Sequence, residues 1–191
     1  MKEILRLMVV LTTVSALAGF SLAYVNEKTK EPRAYQDRMK LLGSLNTVLP
    51  SHGNQPDKDA VAIGGTTYYV SKQNGAVNGV AFETSSDKGY SGPVRVMVGI
   101  KPDGEIISIE IVEQKETPGL GSKITEGWFK DRYKGKSLQN ARWKVKKDGG
   151  DFDQISGATI SPRAVTGAVK AGLDAYEKNR EQILGGAHVV Q

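Results

Sequence analysis

VRVMVGIKPDGEIISIEIV, residues 94–112, decides the fold class. Val94, Val96, Val98 and Ile100 recur at every second position, which puts them on one face of a strand. KPDGE at 101–105 supplies Pro, Asp and Gly in the order a tight turn uses. Ile107, Ile109 and Ile111 then repeat the alternation, so the stretch predicts an antiparallel hairpin with one buried face. Upstream, TTYYV (66–70) and VNGVAFE (77–83) flank KQNG (72–75). Asn74 and Gly75 there tolerate the positive φ that a two-residue hairpin turn needs, and a second hairpin is expected. Downstream, ITEGWFKDRY (124–133) predicts a helical turn with Ile124 and Trp128 on one side. ARWKVKK (141–147) predicts a returning strand and DGGD (148–151) another turn. The whole reads as α+β, a single domain of antiparallel sheet with packed helices.

Two further patterns flank this core. Leu7 to Val25, LMVVLTTVSALAGFSLAYV, contains no charge in 19 residues. At about 1.5 Å per residue it reaches roughly 28 Å, the thickness of a bilayer's hydrocarbon core. Lys2 and Arg6 precede it, which by the positive-inside bias predicts a cytoplasmic segment at 1–6, an anchor at 7–25 and an exported remainder. SLA at 21–23 also suits a signal peptidase, so a cleaved leader is the competing reading. The length of the apolar run and the interfacial Tyr24 favour a retained anchor. Residues 26–58 are polar and predict a connector in which Tyr35, Met39, Leu42 and Leu45 mark an amphipathic helix from Pro32 to about Val48. Pro50, Gly53 and Pro56 end it. The folded domain is expected over 59–185, with a tail at 186–191.

Composition removes several classes of function. The 191 residues include no cysteine, which excludes disulfides, thiolate metal sites, iron–sulfur clusters and thiol catalysis. The only histidines, His52 and His188, have no metal partner close in sequence. Asp148, Asp151 and Asp153 lack the spacing of a calcium loop and read as a solvated acidic turn, so no metal site is expected. The net charge of +5 is interleaved with acids, which disfavours nucleic acid as a partner.

DQISGATISPR, residues 153–163, is the densest chemical stretch. Ser161 followed by Pro162 predicts the start of a helix running to about Asn179. Thr159 would then stand before a helix N-terminus, where unpaired N–H groups and the helix dipole favour a phosphate, while Gly157 and Ala158 leave room for a bulky group. Spacing alone admits an ordinary capped turn, and it names no ligand.

The motif Asp153 to Thr159, D-Q-I-S-G-A-T, resembles the flavinylation motif of FMN-binding domains. In these a flavin transferase joins the FMN phosphate to the threonine hydroxyl. KETPGLGSKI, residues 115–124, resembles the ETPGLG signature of the same family, in matching order and separation. The family includes the G subunits of Rnf complexes and the C subunits of the sodium-pumping NADH:quinone reductase, and the short chain favours the Rnf branch. The resemblance implies FMN held covalently through Thr159. Asp153, Ser156 and Thr159 would be read by the transferase, and Ser156, Gly157 and Ala158 would lie against the flavin. Glu116, Thr117, Gly119, Leu120 and Gly121 would form a flavin wall, with Gly119 and Gly121 admitting the main chain and Leu120 an apolar contact. Arg163 or Lys123 would supply the positive charge opposite the phosphodiester. The implied function is a membrane-anchored electron carrier within a complex exchanging electrons between ferredoxin and NAD, coupled to sodium or proton movement. It would have integral-membrane partners and no turnover alone. The alternatives are the corresponding quinone-reductase component and an extracytoplasmic binding module without redox function.

Overall fold

In a computed structural model the described residues are 1–186, and they form two units, Met1–Leu41 and the chain from Leu42 onward. The expected tail falls almost wholly outside them, as does His188. The first unit is helical from Lys2 onward. It belongs to α1 (Lys2–Val48), which is continuous through Pro32. This differs from the expectation of a separate helix beginning there. Pro32 removes one N–H donor, but its neighbours are mainly strong helix formers and the remaining ladder persists. Within the apolar stretch the Thr13 hydroxyl donates to the Val9 carbonyl at 2.8 Å, so the polar side chain is satisfied by its own helix. One 18-residue window of α1 has mean hydropathy 1.9 with none of it buried. By length and composition it can cross a membrane.

The second unit is built on a five-stranded antiparallel meander with strands in chain order. These are β1 (Ala60–Ile63), β2 (Thr66–Gln73), β3 (Ala76–Ser86), β4 (Val94–Ile100) and β5 (Ile106–Glu113). Asn74 and Gly75 join β2 to β3 with φ of 53° and 80°, the two positive values the hairpin turn requires. The β4–β5 hairpin forms as expected with one change. A bulge pairs Ile100 with Ile106 and Gly99 with Ser108, so Ile106, Ile109 and Ile111 are buried and Ile107 is only half-buried. The end of α1 reaches the sheet at Val48, with Leu45 one turn before it also buried. Gly99 is required there, since a Cβ would lie 2.1 Å from the Val48 carbonyl oxygen.

The other long helix of this unit is α3 (Ile160–Gly186), longer at both ends than the sequence suggested. It lies on β3 and β4. Tyr176 stacks on Phe82 at 6.4 Å between centroids, and a Cβ at Gly172 would meet the Phe82 ring at 2.5 Å. Helix and sheet are therefore in close contact along this line.

Between β5 and α3 the chain is mostly irregular. It forms a 3-10 turn (Gly121–Thr125), the four-residue α2 (Gly127–Lys130) and two more 3-10 turns at Asp131–Tyr133 and Lys146–Asp148. Ile124 is buried as expected. Trp128 is not, and Phe129 takes the core position. The expected strand at 141–147 does not form. Only Val145 bridges, in parallel, to Phe152. The reason is tertiary: Tyr133, Trp143 and Phe152 stack with centroids 4.6 and 4.8 Å apart, and the backbone follows the rings rather than a sheet edge. DGGD does turn, with Gly149 at φ 81°.

Candidate functional site

The two sequence motifs, 36 residues apart in numbering from Leu120 to Ser156, converge on one cleft of about 320 Å3. One wall comes from the loop after β5, with Glu116, Thr117, Leu120 and Gly121. The other comes from the entry to α3, with Gly157, Ala158, Thr159, Ile160 and Ser161. Tyr90, from the loop between β3 and β4, completes the rim. That volume lies at the small end of the range of ligand pockets.

The local geometry explains why these residues are needed. Gly157 has φ 76° and Gly119 φ 74°, left-handed conformations that favour glycine at both turns. The ETPGLG loop is closed by its own backbone, with the Leu120 and Ser122 amides donating to the Thr117 carbonyl, each at 3.2 Å. The Gly119 amide donates to Ser122 Oγ at 3.0 Å. Leu120 is left 45% exposed at the mouth of the cleft. A buried leucine would have filled a core; an exposed one on a glycine-locked loop is available to a ligand.

Glu116 is buried at 4% exposure and joins the walls. Its Oε2 accepts the Ser161 hydroxyl proton in a short hydrogen bond, and its Oε1 accepts the Ser91 amide at 3.2 Å. Each of its two oxygens thus accepts one donor, from a different wall of the cleft. Gly121 is pressed against this bond, for a Cβ there would lie 2.6 Å from Ser161 Oγ and 2.7 Å from Glu116 Oε2. Ser161 therefore does not cap the helix, as the sequence had suggested. It turns inward, α3 begins at Ile160, two residues before the expected first helical residue Pro162, and the Arg163 amide donates to the Thr159 carbonyl at 3.3 Å.

Thr159 is half-buried immediately before Ile160, at the positive end of a 27-residue helix. That is a favourable place for an anion. Arg163 is already engaged: Nε and an Nη donate to the Asp148 carboxylate at 2.6 and 2.7 Å. The pairing holds the Asp148 carboxyl below its usual pKa and Arg163 above its own. Asp153 is paired as well, with Arg132 at 2.7 Å and with Lys146 in a shorter contact. Asp151 is held by Arg142, which lowers its pKa through a direct side-chain hydrogen bond. The acidic turn is thus a set of ion pairs, and among the described residues no cluster of His, Asp and Glu is arranged to hold a metal. Ser156 is exposed and, like Gly119, stands outside the cleft lining. Sequence reasoning missed Tyr90, whose signal was a lone aromatic in the glycine-flanked run GYSG at 89–92.

A model of the FMN-binding domain family matches residues 89–174, which contain the whole cleft. The chain is 39% identical over 183 residues to the G subunit of the ion-translocating oxidoreductase complex of Cereibacter sphaeroides, spanning 89% of this chain and 83% of that protein. It is 37% identical over 194 residues to the protein of the same name from Aliivibrio fischeri, spanning 93% and 91%. Its fold is similar to that of NqrC from Shewanella oneidensis, with a TM-score of 0.52, 22% identity, and 63% and 61% of the two chains covered. The C subunit of the Na(+)-translocating NADH-quinone reductase from Parabacteroides distasonis gives a TM-score of 0.50 at 23% identity, with 60% and 62% covered. The expected family and fold class are both found.

Proposed function

We propose, from the premise that this chain belongs to the family of G subunits of ion-translocating oxidoreductase complexes, that it is a membrane-anchored electron carrier bearing FMN esterified to Thr159. The observation that carries this reading is the convergence of the SGAT and ETPGLG segments on one cleft at the start of α3. The residues present suit the group. Thr159 offers a hydroxyl at a helix N-terminus for a phosphate, while Leu120 and Ile160, 45% and 42% exposed, offer apolar surface for a ring. When bound, the flavin supplies the electron chemistry. The chain's own part is to fix where the phosphate sits and to hold the ring against the two loops. Its α1 segment keeps the assembly at a membrane.

Lys2 and Arg6 ahead of the apolar stretch orient α1 with its start in the cytoplasm and the folded unit outside. A noncovalent flavin released there would be lost, which gives the ester a purpose. The partners on this reading are a flavin transferase and the integral-membrane components of the complex, and the chain alone turns over no substrate. The extent of identity to the G subunits favours this assignment over the quinone-reductase component, to which the similarity is one of fold.

The deciding experiment is the intact mass of the full chain co-expressed with a flavin transferase. The expected mass is that of the chain plus one FMN less one water, with the adduct mapped to the peptide containing Thr159 and absent from Thr159→Ala. Protein from its native host that is colourless and unmodified at Thr159 overturns the reading. The same spectrum reports on the anchor, because cleavage after Ala23 would remove the apolar stretch.

A further inference from the structure

We infer that Tyr90 is the aromatic wall of the ring seat, held in place through Glu116; this rests on the reading that the cleft takes a flavin. Among the described residues of the unit from Leu42 onward, the large apolar or aromatic side chains left exposed are Tyr90 at 69%, Leu120 at 45%, Trp128 at 43% and Ile160 at 42%. Three of these four line the same cleft. Apolar exposure confined in this way marks a ligand surface rather than scattered surface residues. Only one of the three is aromatic, and a planar conjugated heterocycle gains most from an offset stack on such a ring.

The loop that carries Tyr90 is fixed rather than loose. The Ser91 amide donates to Glu116 Oε1 at 3.2 Å. A Cβ at Gly89 would lie 2.1 Å from the Gly92 carbonyl oxygen and 2.8 Å from the same Glu116 oxygen, so the turn is folded tightly on itself and on the carboxylate. The other Glu116 oxygen holds Ser161, two residues beyond Thr159. One carboxylate therefore ties the Tyr90 loop to the start of the helix that presents Thr159. A cofactor tethered by its phosphate at Thr159 would meet the Tyr90 ring at a separation fixed by Glu116. Glu116 acts on the ring as a positioning residue, since both its oxygens are engaged by protein groups.

The test uses flavin emission, because a tyrosine stacked on an isoalloxazine ring quenches its fluorescence. Full-length chain co-expressed with a flavin transferase is first checked by intact mass, and emission is then normalised to flavin absorbance. Tyr90→Leu is expected to carry the full adduct yet emit several-fold more strongly, with its flavin more open to iodide quenching. Tyr90→Trp should stay dim, and Trp128→Leu, outside the cleft, should match the parent. Tyr90→Leu as dim and as shielded as the parent overturns the inference, and so does equal brightening by Trp128→Leu. If the parent itself carries no adduct, the attachment reading fails separately. Free FMN is then titrated into parent and Tyr90→Leu: quenching seen only in the parent supports the ring seat, and equal emission overturns it.

Discussion

Between Ala76 and Glu113 the chain makes three antiparallel strands, with Val80, Phe82, Val96, Val98 and Ile109 at 0% exposure. Between Gln114 and Thr159 it makes three 3-10 turns and one four-residue helix. This arm is held by ring stacks, by Glu116 and by ion pairs; from residue 130 to 163, nine Lys and Arg stand beside four Asp. The cleft lies where the two regions meet, taking Tyr90 from a loop of the sheet and the rest from the arm and the start of α3. The two regions divide the labour. Apolar burial in the sheet supplies stability, while polar joints in the arm set the geometry of the site.

The largest expected effect tests the sheet. Phe82→Ala removes a fully buried ring that packs on Tyr68 and Tyr176 and touches α3 at Gly172. A loss of about 3–5 kcal/mol is expected, as for other buried Phe to Ala changes. Denaturant unfolding of the full chain in detergent measures it. A loss below about 1 kcal/mol would mean that the α3 and sheet contact is not the main source of stability.

Glu116→Ala tests the joint and should rank second. It leaves the buried Ser161 hydroxyl and the Ser91 amide without their acceptor, worth about 1–3 kcal/mol. Its effect should be local. Amide exchange should rise at residues 89–92 and at the start of α3, while the β4–β5 ladder stays protected. Uniform loss of protection would show that arm and sheet unfold as one and would break the division drawn above.

The same two regions differ in how far the sequence discloses them. Alternation in VRVMVGI and IISIEIV fixes the β4–β5 hairpin, and Asn74-Gly75 fixes the turn before it, because strand period and turn chemistry are local properties. The bulge that exchanges Ile107 for Ile106 is set by pairing across strands and leaves no mark in either segment. β1 escapes because AVAI is only four residues long and lies at the sheet edge. In the arm, ARWKVKK alternates like a strand, but Trp143 and Val145 are used to grip Phe152 and the 3-10 turn. That outcome depends on residues far away in sequence. Thr159 and the ETPGLG loop were legible as motifs. Glu116 as a joint and Tyr90 as part of the cleft were not, since both roles arise from contacts across 25 or 45 residues.

At alkaline pH a buried phenol is at stake on each side, Tyr176 of α3 against the sheet and Tyr133 in the arm. Burial pushes Tyr176 up to about 12, and it raises Tyr133, which bonds Thr166 in the arm's aromatic stack. A raised folded-state pKa means that the unfolded chain releases its proton first. Stability from both groups is complete below the ordinary tyrosine value of about 10 and declines as pH rises above it. Tm should therefore fall from about pH 10 towards about 12. Tyr133→Phe should flatten part of that slope, although it leaves Thr166 without its partner. A slope unchanged in Tyr133→Phe would assign the effect to the phenols on the sheet side, Tyr176 on α3 and Tyr68 and Tyr69 on β2, which burial also raises.

The smallest effect belongs to the surface pairs of the arm. Arg142 lowers the Asp151 carboxyl below its usual pKa and Arg163 does the same for Asp148, so any stability they give is present above about pH 4 and lost as pH falls through the lowered values. Both pairs are exposed to solvent and salt, and such pairs contribute little. Arg142→Gln should leave Tm at pH 7 unchanged within error, in low salt and in high salt alike. If it lowers Tm as much as Glu116→Ala does, the turn at 148–151 rather than the Tyr133, Trp143 and Phe152 stack shapes the arm, and the loop at 153–159 beside it owes its position to charge.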